Sequence, residues 1–293
     1  LSPGPTRVGV AGWSYPDWAG IVYPRGSAFD PLTFLAGYFD AIEVNSSFYR
    51  TPSARATAAW ARRSQANPNF RFTLKLYQGF THARSATSDD ERAFKEAIAP
   101  FVDQGSLGAV LVQFPWSFKN DPDSRAHLAA LLERFASYPL VVEVRHASWN
   151  EPDFYSFLAE RSVGFCNIDQ PLIGRSLPPS ERTTGPVGYV RLHGRNYQEW
   201  FRDGAGRDAR YDYLYSEEEL DPWISKIADV SAAASSTYVI TNNHFRGQAV
   251  VNALQIKARL EGKRVRAPRS LVERYPVLEK AVELEPPAQP ALF

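Results

Sequence analysis

Along most of the chain, short runs rich in β-branched and aromatic residues alternate with stretches in which apolar residues return every three or four positions. These two periods mark strands and amphipathic helices in turn. The short runs predict strands over 7–13, 41–45, 70–77, 108–114, 140–145, 163–168, 187–193 and 237–242. The longer stretches predict helices over 31–39, 53–64, 89–102, 124–136, 153–160, 217–228 and 248–261. Two helix starts carry capping-box spacing, Ser88 with Glu91 and Ser216 with Glu219, which lets each pair satisfy two N–H groups that the first turn leaves open. Strands alternating with helices imply a parallel sheet, and eight such units over about 250 residues predict an α/β fold closed as a single TIM-like (β/α)8 barrel. An open doubly wound sheet is the alternative, but no Gly-rich phosphate fingerprint follows the first strand. One helix is missing from the rhythm: between the sixth and seventh strands, residues 170–186 form a Pro-rich loop.

Within the strands the polar residues keep one parity. Glu43 and Asn45 oppose Ile42 and Val44; Lys75 opposes Leu74 and Leu76; Gln113 opposes Val112 and Phe114; Arg191 and His193 oppose Val190 and Leu192. The run Val141-Val142-Glu143-Val144-Arg145-His146-Ala147-Ser148-Trp149 shows the switch most sharply, a greasy strand that ends in chemically active side chains. Asn167 with Asp169, and Asn242 at the end of the last strand, extend the set. Successive side chains of a strand face opposite ways, and a parallel barrel carries its functional groups at the C-terminal strand ends. The polar positions are therefore expected to point inward at one barrel mouth, either as an active site or as an ion-pair network that plugs the barrel top.

The same residues carry a family resemblance. Gly12-Trp13-Ser14-Tyr15, Glu43-Val44-Asn45-Ser46-Ser47-Phe48-Tyr49, Thr81-His82, Gln113-Phe114-Pro115, Glu143-Val144-Arg145-His146 with Trp149, Arg191-Leu192-His193-Gly194-Arg195 and Asn242-Asn243-His244 resemble the motif series of the DUF72, or YecE-like, family, over about residues 8–256. Ser47 stands where that family usually has Thr. The resemblance implies a TIM-like barrel and a family without an established activity.

Chemically, Lys75, Arg145, Arg191 and Arg195 would bring positive charge to the mouth, and guanidinium groups grip phosphate or carboxylate in two-pronged fashion. An anionic ligand is expected there, and Gln113, Asn45, Asn242, Trp13, Tyr49, His82, Trp149 and His244 are further binding candidates. Glu143, Asp169, Glu43 and His193 are the candidates for proton transfer, with Glu143 expected to serve chemistry rather than the fold. Glu143, Asp169 and His193 from three consecutive strands could also converge on a divalent metal, but no ligand spacing supports one and nearby arginines would repel a cation, so no cofactor is expected. The strand-end aromatics, Tyr197 and Trp200 among them, suit stacking on bases or sugars and equally suit sealing the barrel. The leading reading is a barrel enzyme on a phosphate-bearing or other anionic substrate, with DNA or a nucleotide as the foremost class and a DNA-associated hydrolase or phosphodiesterase as the form this would take. The alternatives are a lyase, isomerase or hydrolase of a small anionic metabolite, and a binding protein without turnover.

Composition narrows this only slightly. With 33 Lys and Arg against 32 Asp and Glu, the net charge of +1 argues neither for nor against nucleic acid, and any basic surface must be local. The lone Cys166 sits in an apolar run, reads as core filler and fits a reducing, cytoplasmic setting. No apolar run reaches the roughly 20 residues that span a bilayer, so no membrane association is expected. The barrel is expected to account for residues 1–283 and to leave 284–293 as a flexible Pro-rich tail. The end of that tail, with Gln289, Leu292 and Phe293, resembles the short peptide that docks bacterial replication and repair proteins on the DNA sliding clamp, although Pro290 and Ala291 depart from it.

Overall fold

In the computed structural model, residues 4–25, 29–198 and 207–284 are described, with 207 and 208 as backbone only. Eight parallel strands, β1 (Thr6–Ala11), β2 (Ala41–Val44), β3 (Arg71–Lys75), β4 (Leu107–Gln113), β5 (Leu140–Glu143), β6 (Gly164–Asp169), β7 (Val187–Leu192) and β8 (Ser236–Thr241), pair in chain order. β1 closes on β8, so the expected (β/α)8 barrel is the observed one. The strands read as near-continuous β-branched runs because both faces are buried, one against the outer helices, the other inside the barrel.

The outer helices follow from the apolar periodicity. Helices span Ala54–Arg63, Ser88–Asp103, Pro122–Arg134, Pro152–Ala159, Glu217–Ala233 and Gln248–Glu261. The box at Ser216 and Glu219 forms as expected. At the earlier helix the box is one residue upstream: Thr87 caps the backbone of Asp90 and the Asp90 carboxylate returns to Thr87. Thr87 takes the extended backbone that capping needs, and this leaves Ser88 inside the helix as its first residue. Beyond the expected elements lie two single-turn helices at the barrel mouth, Ser46–Tyr49 and Gln78–Thr81. A two-stranded parallel sheet, β9 (Val265–Ala267) with β10 (Val282–Leu284), follows the barrel. Among the described residues, no helix is long and apolar enough to cross a membrane.

No helix connects β6 to β7, and Asn167 explains how loop 170–186 stands in for one. Its amide donates to the Arg182 carbonyl at 2.9 Å and the Tyr189 carbonyl at 3.2 Å. Its oxygen accepts from Ser180 Oγ and from the Arg182 backbone N–H, both at 2.7 Å. One buried carboxamide thus fills its hydrogen-bonding capacity and holds loop to strand where an apolar helix face would otherwise pack. Asn167→Leu keeps the burial but strands the Arg182 N–H. The variant is expected to lose about 2–3 kcal/mol in chemical denaturation and to expose 176–184 to faster hydrogen exchange. Unchanged stability with unchanged exchange would show that the loop is held by something else.

Candidate active site

Register decides which side chains face inward. Ala11 pairs with Glu43, Glu43 with Thr73, Gln113 with Glu143, Cys166 with Tyr189 and Ile168 with Arg191. Neighbours in register share a face, so Glu43, Thr73, Lys75, Gln113, Glu143, Tyr189, Arg191 and His193 point into the barrel. In β6 the inward residues are Cys166 and Ile168. Asn167 and Asp169, expected on the inner face, therefore lie on the outer one. Polar residues occur there because the missing helix leaves that face to a polar loop.

The interior is built on one ion-pair lattice. Arg191 Nη2 donates to Glu43 Oε1 at 2.6 Å, and Nη1 donates to Glu143 Oε2 at 2.5 Å. The second Glu43 oxygen accepts from the Tyr189 hydroxyl at 2.9 Å, which lies 2.7 Å from Thr73 Oγ1. The remaining Glu143 oxygen receives Arg145 Nε at 3.0 Å and Nη2 at 2.9 Å. Burial alone would raise the Glu143 carboxyl, but Arg191, Arg145 and His193 outweigh it and hold it well below its usual range. With both oxygens occupied and its side chain sealed from solvent, Glu143 is a positioning group for two arginines. This departs from the expectation that it serves chemistry alone.

His193 completes the layer. Its Nε2 lies 3.4 Å from Glu143 Oε1, and its Nδ1 lies 3.0 Å from Asn242 Nδ2. The Asn242 oxygen is turned to Asn45 at 3.5 Å, which leaves its amide facing Nδ1, while Nε2 also stands 3.3 Å from Arg145 Nη2 and 3.4 Å from Arg191 Nη1. Burial first, then Arg145 and Arg191, push this imidazole down to about 3, so it is neutral at pH 7. Cys166 sits with its Sγ 3.9 Å from Glu143, and burial together with that carboxylate keeps the thiol protonated.

Lys75 is the exception. Its ammonium stands 4.3 Å over the Phe48 ring and, among the described residues, makes no ion pair or hydrogen bond. Lys95, Lys226, Lys257 and Lys263, by contrast, each reach a carboxylate. Ser47 fixes the backbone beneath it, its hydroxyl lying 2.8 Å from the Val44 carbonyl and 2.7 Å from the Lys75 carbonyl. Desolvation and the positive field of Arg191 and Arg145 outweigh Glu43 and Glu143 and push the amine down to about 7. His82 packs edge-on against the same Phe48 ring, and desolvation, Lys75 and Arg145 hold it below its usual value. A cleft of about 90 Å³ opens here, lined by Tyr15, Asn45, Tyr49, Lys75, Tyr211, Asn242 and His244. His244 stacks on Tyr15 at 4.4 Å and contacts Tyr211 at 4.9 Å. Larger hollows, about 320 Å³ beside Tyr138 and Arg161 and about 610 Å³ beside Arg50 and Glu96, are not lined by any member of the lattice.

Several expected site residues stand elsewhere. Asp169 binds Arg195 at 2.9 Å, and burial pushes its carboxyl up although Arg195 and Tyr215 pull it down. Arg195 also reaches Glu219 at 3.3 Å, so both belong to a rim network outside the barrel wall. Asp169 consequently does not converge with Glu143 and His193 as metal ligands. Among the described residues, no three His, Cys, Asp or Glu side chains group closely enough to hold a metal ion. Trp149 is fully buried, donates its indole N–H to the Phe118 carbonyl at 2.8 Å and stacks on Phe118. Trp13 packs edge-on against Trp60, while Tyr49 is 61% exposed at the cleft. Gln113 faces inward but donates to the neighbouring Phe114 carbonyl. Tyr189, Thr73 and Tyr211 are not marked by the sequence as ligands or lattice members, because a strand Thr or Tyr, or a loop Tyr, reads as ordinary packing, whereas Tyr15, one of the strand-end aromatics, does line the cleft. Trp200 and the docking peptide with Gln289, Leu292 and Phe293 lie outside the described residues.

Removing Arg191 tests the lattice. Arg191→Met leaves two buried carboxylates short of a partner, for an expected loss of about 3–5 kcal/mol at neutral pH. Wild-type Glu143 titrates below its unfolded value of 4.5, so its stabilisation is complete above 4.5 and is lost as pH falls toward the folded value. Buried carboxyls stranded in the variant titrate higher, so acidification relieves them first and the deficit should narrow between about pH 8 and pH 4. Denaturation curves across that range check this; a deficit that is small or independent of pH would contradict the lattice as described.

Comparison with known proteins agrees with this architecture. The family described as "Protein of unknown function DUF72" matches residues 7–274. The UPF0759 protein YunF of Bacillus subtilis is 30% identical over 264 residues, which cover 85% of this chain and 92% of that protein. A DUF72 family structure from Thermotoga maritima is 36% identical, with a TM-score of 0.77 over 88% of this chain and 99% of its own. Another from Enterococcus faecalis is 27% identical, with a TM-score of 0.77 over 87% of this chain and 95% of its own. With the family motifs delivering one charged layer to the mouth of an eight-stranded barrel, the chain belongs to the DUF72 family.

Proposed function

We propose that the protein is an enzyme that binds a small anionic substrate at the barrel mouth, between Lys75 and Arg145, and transforms it by proton transfer or bond cleavage. The observation that carries this reading is the charge balance around the cleft. Glu43 and Glu143 are offset by Arg191 and Arg145, so a protonated Lys75 is one positive charge in surplus. An anion in the cleft would supply the missing counter-charge. Arg145 is the more accessible of the two lattice arginines, 15% exposed against 1% for Arg191, and is the one we assign to the anion.

Size favours a metabolite over a polymer. A cleft of about 90 Å³ accepts a carboxylate or phosphate group with a few carbons, well under the 300 Å³ and more typical of sites for drug-sized ligands. The stacked rings of Tyr15, His244 and Tyr211 suit the apolar face of such a molecule, and Asn45 and Asn242 offer carboxamides to its hydroxyl or carbonyl groups. A lyase, isomerase or hydrolase of a small anionic metabolite fits this geometry better than a phosphodiesterase working along DNA.

Binding should be coupled to protonation. Below about 7 the amine is charged before the anion arrives; above it, anion binding must draw in a proton. Titration calorimetry with inorganic phosphate, repeated at about pH 8 in buffers of different ionisation enthalpy, should therefore show proton uptake and affinity that weakens with rising pH. Lys75→Met should abolish the uptake, and Arg145→Ala should weaken binding by roughly tenfold or more. Phosphate affinity indifferent to both substitutions would end this reading.

A further inference from the structure

We propose that Lys75 is a covalent catalyst, forming an imine with the carbonyl carbon of a small anionic aldehyde or ketone bound in the cleft. This rests on the small-anion reading above and adds the substrate's reactive group. Three features of the site support it. Lys75 reaches the cleft, and its Nζ is engaged by no acceptor among the described residues, so its lone pair is not tied up once the proton is gone. Its backbone is fixed by Ser47, bound to the Lys75 carbonyl, and the Phe48 ring lies beneath its amine. A cationic imine would keep that ring contact, since the face of an aromatic ring attracts a delocalised cation as it does an ammonium.

The charges around the amine favour the neutral form. Arg191 from β7 and Arg145 after β5 oppose its protonation, His82 beyond β3 is itself held neutral, and Glu43 and Glu143 are already engaged by arginine. An amine near 7 is roughly half unprotonated at neutral pH, against about one in three thousand for an ordinary lysine near 10.5. That is the activation an amine nucleophile requires, and an apolar or cationic surrounding is the usual means of reaching it.

The step balances without a further reagent. The Nζ lone pair attacks the carbonyl carbon and the C=O π pair moves to oxygen. One N–H proton passes to that oxygen, and a second proton, from solvent at the cleft, lets it depart as water. The product is a protonated imine, which withdraws electrons from the adjacent carbon and so eases proton abstraction or carbon–carbon cleavage there. Arg145 would hold the substrate's carboxylate or phosphate. The reaction class is thereby narrowed to isomerisation, aldol-type cleavage or dehydration next to a carbonyl.

Reductive trapping on the full chain tests this. The protein is treated with glyoxylate, pyruvate or dihydroxyacetone phosphate and cyanoborohydride, and labelled peptides are mapped by mass spectrometry. The amine labelled fastest should be Lys75, at least tenfold ahead of the exposed Lys119 and Lys280, with a rate that rises through about pH 7 and is suppressed by phosphate. Lys75→Arg should remove that label and no other. The wild-type ratio between sites carries the test even if the variant folds poorly. Labelling of Lys75 no faster than of Lys119 would overturn the imine. If phosphate binding still depends on Lys75 in that case, the anion reading stands without the covalent step; if phosphate does not bind either, both fall.

Discussion

Arg191 held between Glu43 and Glu143 is the interaction on which the rest of the barrel interior depends. It joins β2, β5 and β7 through partners up to 148 positions apart in the chain, with side chains at most 1% exposed. Taking three charges out of water is costly, and the cost is offset only when every oxygen and most donors find partners. Tyr189, Thr73, Arg145 and His193 supply them. One arginine for two carboxylates leaves a negative charge, which Arg145 cancels. The lattice is therefore closed in charge and nearly closed in hydrogen bonds, and this closure makes Lys75 chemically unusual. In a barrel where either carboxylate were uncommitted, Lys75 would pair with it and be an ordinary ammonium.

The barrel was legible because each predicted element rested on a periodicity that nothing later overrode. The inward set was also legible in five strands, where alternate positions are uniformly apolar: Ile42 and Val44 leave no doubt about the face of Glu43, nor Val190 and Leu192 about that of Arg191. β6 defeats the same logic. Cys166 and Ile168 alternate with Asn167 and Asp169, and parity alone favours the polar pair as the inner one. What decides the matter is loop 170–186, which covers the outside of β6 with polar backbone and so reverses the usual preference. A missing helix was visible in the sequence; its consequence for the neighbouring strand was not.

Pairing was the part that could not be read. Charge count and parity place Lys75, Arg145, Arg191, Glu43 and Glu143 together but do not say which cation is left over. That depends on side-chain reach: the Arg191 fork bridges two carboxylates, and Arg145 returns two residues along its own chain to Glu143. Lys75, with a single ammonium above Phe48, reaches neither. Aromatic residues misled for a related reason. Trp149 and Trp18 look like ligand platforms at strand ends, yet each donates its indole N–H to a backbone carbonyl and seals the mouth. The cleft is lined instead by tyrosines: Tyr15 from the loop after β1, Tyr211 from the chain between β7 and β8, and Tyr49, expected there, from the single-turn helix after β2.

The central claim is that closing the charge lattice leaves Lys75 as an amine poised near neutrality. Observing that amine directly is the most decisive measurement: the protein is labelled with 13C at the lysine ε-carbon and titrated by NMR, with Lys75→Arg to assign the resonance. The account predicts one ε-carbon signal that titrates near pH 7 and is absent from the variant, while the remaining lysines titrate near 10.5. A Lys75 signal that titrates with the others, near 10.5, would show that a carboxylate does reach it and would contradict the account.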